Sequence, residues 1–414
     1  MRNNAGGLRV LHLSSWGVPC GIANYCRSLV ESLAEIGVES DVYPLSMHEW
    51  ATYLPGDIGR LRDEIVTRAE LFDLVHVQHE HGLFGVVSGA RAAARNYGAI
   101  LQGLLSRHKP VVTTFHTPPL DQLSKKRRRF PGALRLLKNW SRAVTWKHQV
   151  ARHFQNSGDL TRALVHSAIT RRAFADSGIP IHALRMVPIG CPPLRTSTVT
   201  PALAKERLGL PPQTQLVTLF GFVGRYKGHD LALQALQQLP GDFHLAICGG
   251  SHPEARDDFF AEVFRMIARL GLEERVKVTG WLSPEDADLY YAATDICLAP
   301  YQPDCGLSGS GAITWALASG RPTIASKIDA FMAIQRESPC MLMTTAGQTE
   351  ELVWAIRKIA DDRALGRELV AAAGEYCRRH SWKNVALATR DIYGEVLHAG
   401  TGRSTVVPAH PAAA

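Results

Sequence analysis

The sequence predicts an α/β protein built from two doubly wound domains, and three observations carry that reading. Short apolar runs alternate with segments of helical period along almost the whole chain, the pattern of βα units and parallel sheets. The alternation breaks between Pro188 and Pro212, where the composition turns to Pro, Thr and Gly, and then restarts with a strand. At 414 residues, and roughly 150 residues per domain, there is chain enough for two or three domains, each with its own core.

In the first half the spacing predicts strands at Arg9–Ser14, Glu39–Pro44, Leu74–Gln78, Pro110–Phe115, Ala163–His166 and Ala183–Val187, with helices at Ile22–Glu35 and Gly85–Leu105. The linker around Pro188–Pro212 holds one helical patch, Pro201–Leu208. The second half restarts with the strand Gln215–Phe222, the loop Gly224–Gly228 and the helix Asp230–Leu239. Next come the strand His244–Cys248, closed by Gly249 and Gly250, the helix Asp257–Leu270 and the strand Val276–Thr279. Ser283-Pro284-Glu285-Asp286 is a helix start, with Ser283 as cap, Pro284 in the first turn and Asp286 closing the box. The strand Ile296–Ala299 leads into the run Tyr301–Ser326, a glycine-rich turn, a helix and a further strand. The domains are placed at 1–192 and 193–383, followed by a helix at 384–398 that returns to the first domain and a disordered tail at 399–414. The two would face one another across a cleft, with ligand at the carboxyl ends of the strands.

Apolar residues make up 46% and charged residues 20%, the balance of a soluble globular protein. No run of 18 apolar residues occurs, and the N-terminus lacks the order of a signal peptide, so a cytoplasmic location is expected. The eight cysteines are scattered without a CxxC pair, which points to reduced, packed thiols. The net charge of +8 is concentrated: residues 122–153 hold ten cations and no acid, leaving −2 for the rest. A solvated helix face, an anionic membrane surface, an acidic acceptor and nucleic acid would each suit such a patch. Phe130, Trp140 and Trp146 within it favour peripheral membrane contact through residues 125–147, at the inner face of the membrane, over nucleic acid.

Two glycine-rich turns carry most of the chemistry. In Tyr301–Ser326 the glycines at a helix start present unpaired N–H groups and the positive end of a helix dipole to an anion. In Phe222–Gly228, Arg225 and Lys227 stand between glycines directly after a strand, where cations stabilise the charge that builds on a departing diphosphate. Lys227, just before the helix, is the stronger candidate. A third turn, Trp16–Tyr25, sets Gly21 at a helix start. His116 lies at the carboxyl end of an apolar strand, where it would face the cleft. His76, His79, Glu80 and His81 look like metal ligands, but the spacing is not that of a HExxH helix. His79, Glu80 and His81 are read instead as the polar wall of an acceptor pocket or as a solvated strand-end loop, and no metal is expected.

With these motifs in order, the chain resembles glycosyltransferase family 4, enzymes of the two-domain GT-B fold, over roughly Leu8 to Leu397. The matching segments are SSWGVPCGIANY, QHEHGLFG, VVTTFH, LVHS with PIG, GFVGRYKG, GWLSPEDADLYYAATDICLAPY, ALASGRPTIAS and HSWKNVA. The resemblance implies two Rossmann-like domains, nucleotide bound mainly by the second and acceptor mainly by the first, no metal or cofactor beyond the nucleotide-sugar co-substrate, and retention at the anomeric carbon. By the same resemblance Lys227 and Arg225 would grip the donor diphosphate, and His116 would sit beside the transferred sugar. Gly21, Gly224, Gly306 and the amides from Leu307 through Ser308, Gly309 and Ser310 to Gly311 would approach the phosphates. The backbone at Gly280, Trp281 and Leu282 would hold the base.

The family usually carries two glutamates eight positions apart around the helix after Tyr301, and the corresponding residues here are Leu307 and Trp315. Asp304 is the acid within reach of the sugar, Trp315 is expected to pack beneath the helix, and a subgroup with Ser-Gly in place of the glutamates looks similar. The reading is therefore a retaining hexosyltransferase acting on a hydroxyl of a glycan, lipid-linked or small-molecule acceptor. The alternatives are a non-catalytic GT-B nucleotide- or glycan-binding protein and a nucleotide-sugar epimerase of the same fold. Donor base, sugar, acceptor and oligomeric state stay open. A dehydrogenase is disfavoured, because no GxGxxG follows the first strand.

Overall fold

The structure, a computed structural model, describes residues 7–46, 55–85, 90–119, 141–195, 199–251, 258–303 and 309–399. The tail from residue 400 and the basic run from Lys125 to Lys138, with Phe130 and Trp140, lie outside the described residues. So do Asp304, Gly306, Leu307 and Ser308. The chain forms two compact units: Met1–Val18, Ile22–Val187 and Ala386–Ala414 make the first, and Pro19–Gly21 with Pro188–Val385 the second. The division falls at Val187/Pro188, the start of the Pro-rich stretch, rather than at residue 192.

The first unit holds a six-stranded sheet in the order β2-β1-β3-β4-β5-β6: β1 (Arg9–Ser14), β2 (Glu39–Pro44), β3 (Leu74–His79), β4 (Val111–Phe115), β5 (Thr161–Val165) and β6 (Leu184–Met186). All pairs are parallel. Successive side chains of a strand point to opposite faces, and in-register parallel neighbours share a face. The odd-numbered face is apolar: Leu11, Leu13, Val75, Val77, Val111, Phe115, Ala163 and Val165 pack against the helices Pro55–Ala69 and Ala90–Ser106. Each such fully buried side chain contributes roughly 2 kcal/mol. The even-numbered face is polar and carries His12, His76, Gln78, Thr114 and Arg162, with register pairs His12↔His76 and Gln78↔Thr114.

The C-terminal helix Trp382–Ala399 covers that polar face. Tyr393 Oη lies 2.6 Å from His76 Nδ1, and Glu395 accepts from Arg162 Nε at 2.8 Å and from Arg185 Nε at 3.0 Å. Burial raises the Glu395 pKa, but the hydrogen bonds and charges of Arg185 and Arg162 outweigh it and hold the carboxyl below its ordinary value.

The second unit holds a sheet in the order β12-β11-β10-β7-β8-β9: β7 (Gln215–Phe220), β8 (Phe243–Cys248), β9 (Val276–Val278), β10 (Ile296–Ala299), β11 (Thr323–Ser326) and β12 (Leu342–Thr344), again all parallel. The direction of winding reverses between β7 and β10, so the loops leaving those two strands flank the position where open α/β sheets take their ligands. The caps at Thr200 and Ser283 form as their sequences dictate, the Ser283 hydroxyl accepting from Asp286 N at 3.1 Å.

Three sequence expectations change. Gly85 does not start a helix: it is the left-handed cap (φ +85°) of the 3-10 turn His81–Phe84, and the helix begins at Ala90. Trp146 is no membrane anchor, because its ring is fully buried in the first core against Phe115 and Phe174. Trp315 does not pack beneath its helix; it is 42% exposed, with the Arg195 guanidinium 5.2 Å from its ring. Among the described residues no helix is long and apolar enough to cross a membrane.

Candidate functional site

In the second unit, the loops after β7, β8, β9 and β10 meet at the carboxyl edge of the sheet. Gly221 directly follows β7; its N–H donates to Cys248 O at 2.9 Å, and Val223 N donates to Gly250 O at 2.9 Å. The chain then makes a 3-10 turn, Arg225–Lys227, ended by Gly228. The backbone requires both Gly221 and Gly228, and contact with a fixed carbonyl requires Gly228 as well. A Cβ on Gly221 (φ +100°) would collide with the Lys227 amine, and one on Gly228 (φ +72°) with the carbonyl of Pro300. Both turns therefore close onto their neighbours as only glycine permits.

Lys227 is the charged group at the centre. It is 4% exposed, its Nζ makes one long hydrogen bond of 3.4 Å to Phe220 O, and among the described residues no acid pairs with it. Burial pushes its pKa down from 10.5 to about 8. A buried ammonium without a counter-ion is costly unless an anion completes it. Tyr301 and Gln302 hold the turn in place. Gln302 N donates to Tyr226 O at 2.8 Å, and its amide donates to Asp230 at 3.0 Å. The Tyr301 ring lies 5.9 Å from the Lys227 amine, and its hydroxyl is 3.0 Å from Ser310 Oγ. Ser310 stands immediately before the helix Gly311–Ala318 and makes no side-chain cap, so its hydroxyl is committed to Tyr301.

Around this centre the remaining candidates divide. Gly309, Ser310 and Gly311 lie at that helix start, and Gly224 precedes the Lys227 turn. Gly280 (φ +68°) lies two residues past β9, Trp281 is 54% exposed with its ring edge-on to Phe222 at 5.1 Å, and Leu282 packs in a small apolar cluster with Leu216 and Tyr290. Gly250 leaves room for Trp281, since a Cβ there would sit 2.6 Å from the indole nitrogen. Arg225 turns away from Lys227: its guanidinium pairs with Glu262 and lies 4.7 Å from the Phe259 ring. Gly21 is the first residue of the helix Gly21–Ala34.

In the first unit, His116 follows β4 and His166 follows β5, both on the polar face. His116 Nε2 is 2.9 Å from Gln78 Oε1, His116 Nδ1 is 3.3 Å from His166 Nε2, and His166 Nδ1 donates to Val187 O at 2.9 Å. The Tyr25 ring meets His116 edge-on at 4.7 Å. Burial is the main cause that lowers all these imidazoles, His166 to about 4 and His76 and His116 well below 6.5.

The acceptor-wall expectation requires correction for two of its three residues. His79 has odd strand parity and points into the core, fully buried, stacked on Phe84 at 5.1 Å and edge-on to Tyr97 at 4.5 Å, with neither ring nitrogen hydrogen-bonded among the described residues. His81 is buried with its Nε2 on Pro118 O at 2.9 Å. The Glu80 carboxylate accepts from Gly82 N and caps the turn His81–Phe84. Sequence reasoning missed Gly221, Tyr301, Gln302 and Gln78 as site-building residues. Gly221 directly follows β7, and Tyr301 and Gln302 open the run after β10, positions at the carboxyl ends of strands that were the available signal.

Residues 217–362, all within the second unit, match the sequence model of the family described as "Glycosyl transferases group 1". A curated relative, the D-inositol 3-phosphate glycosyltransferase of Xylanimonas cellulosilytica, is 26% identical over 53% of this chain and 52% of its own length. The chain thus spans about half the length of the curated relatives it matches. Among solved structures, sucrose-phosphate synthase from Thermosynechococcus elongatus is similar with a TM-score of 0.70 at 20% identity, over 95% of this chain and 100% of that one. HepE from Anabaena, in complex with UDP, is similar with a TM-score of 0.68 at 17% identity, over 94% and 100%. The two six-stranded parallel sheets with their surrounding helices are those of the GT-B class.

Proposed function

We propose that this protein is a glycosyltransferase that moves a hexose from a nucleoside diphosphate sugar to a hydroxyl of an acceptor, with retention of anomeric configuration. The observation that carries the reading is Lys227, a buried ammonium held against Gly221 with no acid beside it among the described residues. It stands at the switch point of a sheet whose residues 217–362 match group 1 glycosyl transferases. The Anabaena neighbour was solved with UDP and with UDP-glucose, which makes uridine diphosphate sugars the first donors to try.

In the proposed reaction the acceptor oxygen bonds to C1 as the bond from C1 to the β-phosphate oxygen breaks. The acceptor proton passes to the departing phosphate on the same face, and the charge on that phosphate is stabilised by Lys227 and the start of the helix Gly311–Ala318. Arg225 would join only by exchanging Glu262 for the diphosphate. The roles given to His116 and Gly21 belong to the same proposal. Replacing Lys227 with Ala and measuring turnover with a UDP-hexose tests it: kcat is expected to fall about 10²- to 10³-fold, and a near wild-type rate would refute the assignment.

One observation favours a second reading, a nucleotide-binding GT-B protein without catalysis: an exposed Trp315 stands where family 4 usually has a carboxylate. Slow hydrolysis of a nucleotide sugar by the purified protein would count against it.

A further inference from the structure

On the polar face of the first sheet, hydrogen bonds run without interruption from Tyr393 through His76, Gln78, His116 and His166 to the carbonyl of Val187. Donor and acceptor logic fixes the direction of every link. A carbonyl only accepts, so His166 carries its proton on Nδ1. Burial keeps that ring neutral, with a pKa near 4, so its Nε2 is an acceptor. His116 Nδ1, 3.3 Å away, must then donate, and a neutral His116 is left with a bare Nε2. A bare nitrogen cannot bond to the amide oxygen placed 2.9 Å from it. The conflict disappears if the Gln78 amide is turned over, since oxygen and nitrogen of a primary amide occupy nearly the same outline and the partners decide the orientation.

We propose that Gln78 is a positioning residue for His116: its amide N–H donates to His116 Nε2 and its oxygen faces His76 Nε2, locking the two rings in opposite tautomers. His116 is then the Nδ1–H form and His76 the Nε2–H form, which donates to Thr114 Oγ1 at 2.8 Å and to the amide oxygen, while His76 Nδ1 accepts from the Tyr393 hydroxyl at 2.6 Å. Every donor along the chain meets an acceptor, and every proton points from Tyr393 toward Val187. Strand parity builds the device. Residues 76 and 78 share one face of β3, 114 and 116 share the same face along β4, and the register Gln78↔Thr114 sets the amide between the two imidazoles.

The consequence for chemistry rests on the transferase reading. With both ring nitrogens engaged, His116 cannot accept the proton of an acceptor hydroxyl, and that proton is left to the departing phosphate. The tautomer claim itself stands apart from any activity. It is tested by two-bond ¹H–¹⁵N correlation spectra of the full chain labelled at histidine, near pH 7, with the His116 signals assigned by their loss in His116→Phe. The expected result is a protonated Nδ1 and a bare Nε2 in wild type. In Gln78→Glu, whose carboxylate can only accept, the proton is expected to appear on His116 Nε2. A wild-type His116 that is protonated on Nε2, or on both nitrogens, would overturn the proposal, as would an unchanged pattern in folded Gln78→Glu. If that variant does not fold, the wild-type spectrum alone decides. Failure of the tautomer assignment leaves the Lys227 experiment untouched, and the reverse holds as well.

Discussion

At the ends of the first sheet's central strands stand His79, His116 and His166, packed among aromatic rings; at the ends of the second sheet's strands stand Gly221, Gly249 and Gly280, with one buried amine among them. Both sheets are six-stranded and parallel, and both wind in two directions from a switch point. Neutral imidazoles fill this edge of the first sheet: His116 and His166 are hydrogen-bonded on the polar face, and His79 packs into the apolar core. Glycines leave the backbone of the second sheet open, beside a buried cation that no acid pairs with among the described residues. The first edge is filled by its own side chains, whereas the second, under the proposed function, takes an anion.

This contrast is most exposed to acid. His12, His81 and His166 titrate at about 3, 4 and 4 in the folded chain, all lowered mainly by burial. A folded pKa below the unfolded value of about 6.5 means that the unfolded chain binds more protons, so the stabilisation is complete above pH 6.5 and is lost as pH falls toward 4. Each group contributes on the order of 3–5 kcal/mol at neutral pH, lost as it takes up its proton. Peptide-resolved hydrogen exchange between pH 7 and pH 4 should show the first unit opening well before the second, where His229, near 3, is the comparable group. Simultaneous opening would erase the distinction.

Smaller effects sharpen the same comparison. Gly221→Ala is expected to cost about 1–3 kcal/mol, because it adds both backbone strain and a collision with the Lys227 amine; calorimetry with UDP should show weaker binding, and unchanged affinity would mean that the amine is not held there for an anion. Glu395→Gln removes the charge that ties the C-terminal helix to Arg162 and Arg185 and should lower stability by about 2 kcal/mol in urea titrations. His79→Phe should be stabilising by about 1 kcal/mol, since it deletes from an aromatic cage two buried nitrogens that find no partner among the described residues. A large loss of acceptor affinity in that variant would restore the acceptor-wall role.

Much of the architecture is legible in the sequence because buried parallel strands write themselves as short apolar runs, and the caps at Thr200 and Ser283 are local chemistry. The helices Thr349–Asp361 and Arg363–Arg379 were not singled out, since they lie past the motifs and their faces are defined by the core they meet. In the site, Lys227 could be found because a cation between glycines after a strand is a local pattern. The pairing of Arg225 with Glu262 is not legible locally, because the two are 37 residues apart. His79 groups in sequence with Glu80 and His81 because the expected strand stops at Gln78; one residue more of strand puts it on the apolar face. The direction of the Gln78 amide depends on partners from β4, β5 and the C-terminal helix, none of which is adjacent in sequence.

The central claim, that Lys227 waits for the diphosphate of a nucleotide, is tested most directly by UDP affinity against pH. The free amine titrates near 8, and a bound diphosphate should raise that value, so binding above pH 8 must be accompanied by proton uptake. Calorimetry should give a nearly constant Kd between pH 7 and 8 and a Kd rising toward about tenfold per pH unit above it, with the rise absent in Lys227→Met. A Kd that is level from pH 7 to about 9.5, or a Lys227→Met protein that binds as tightly as wild type, would contradict the account.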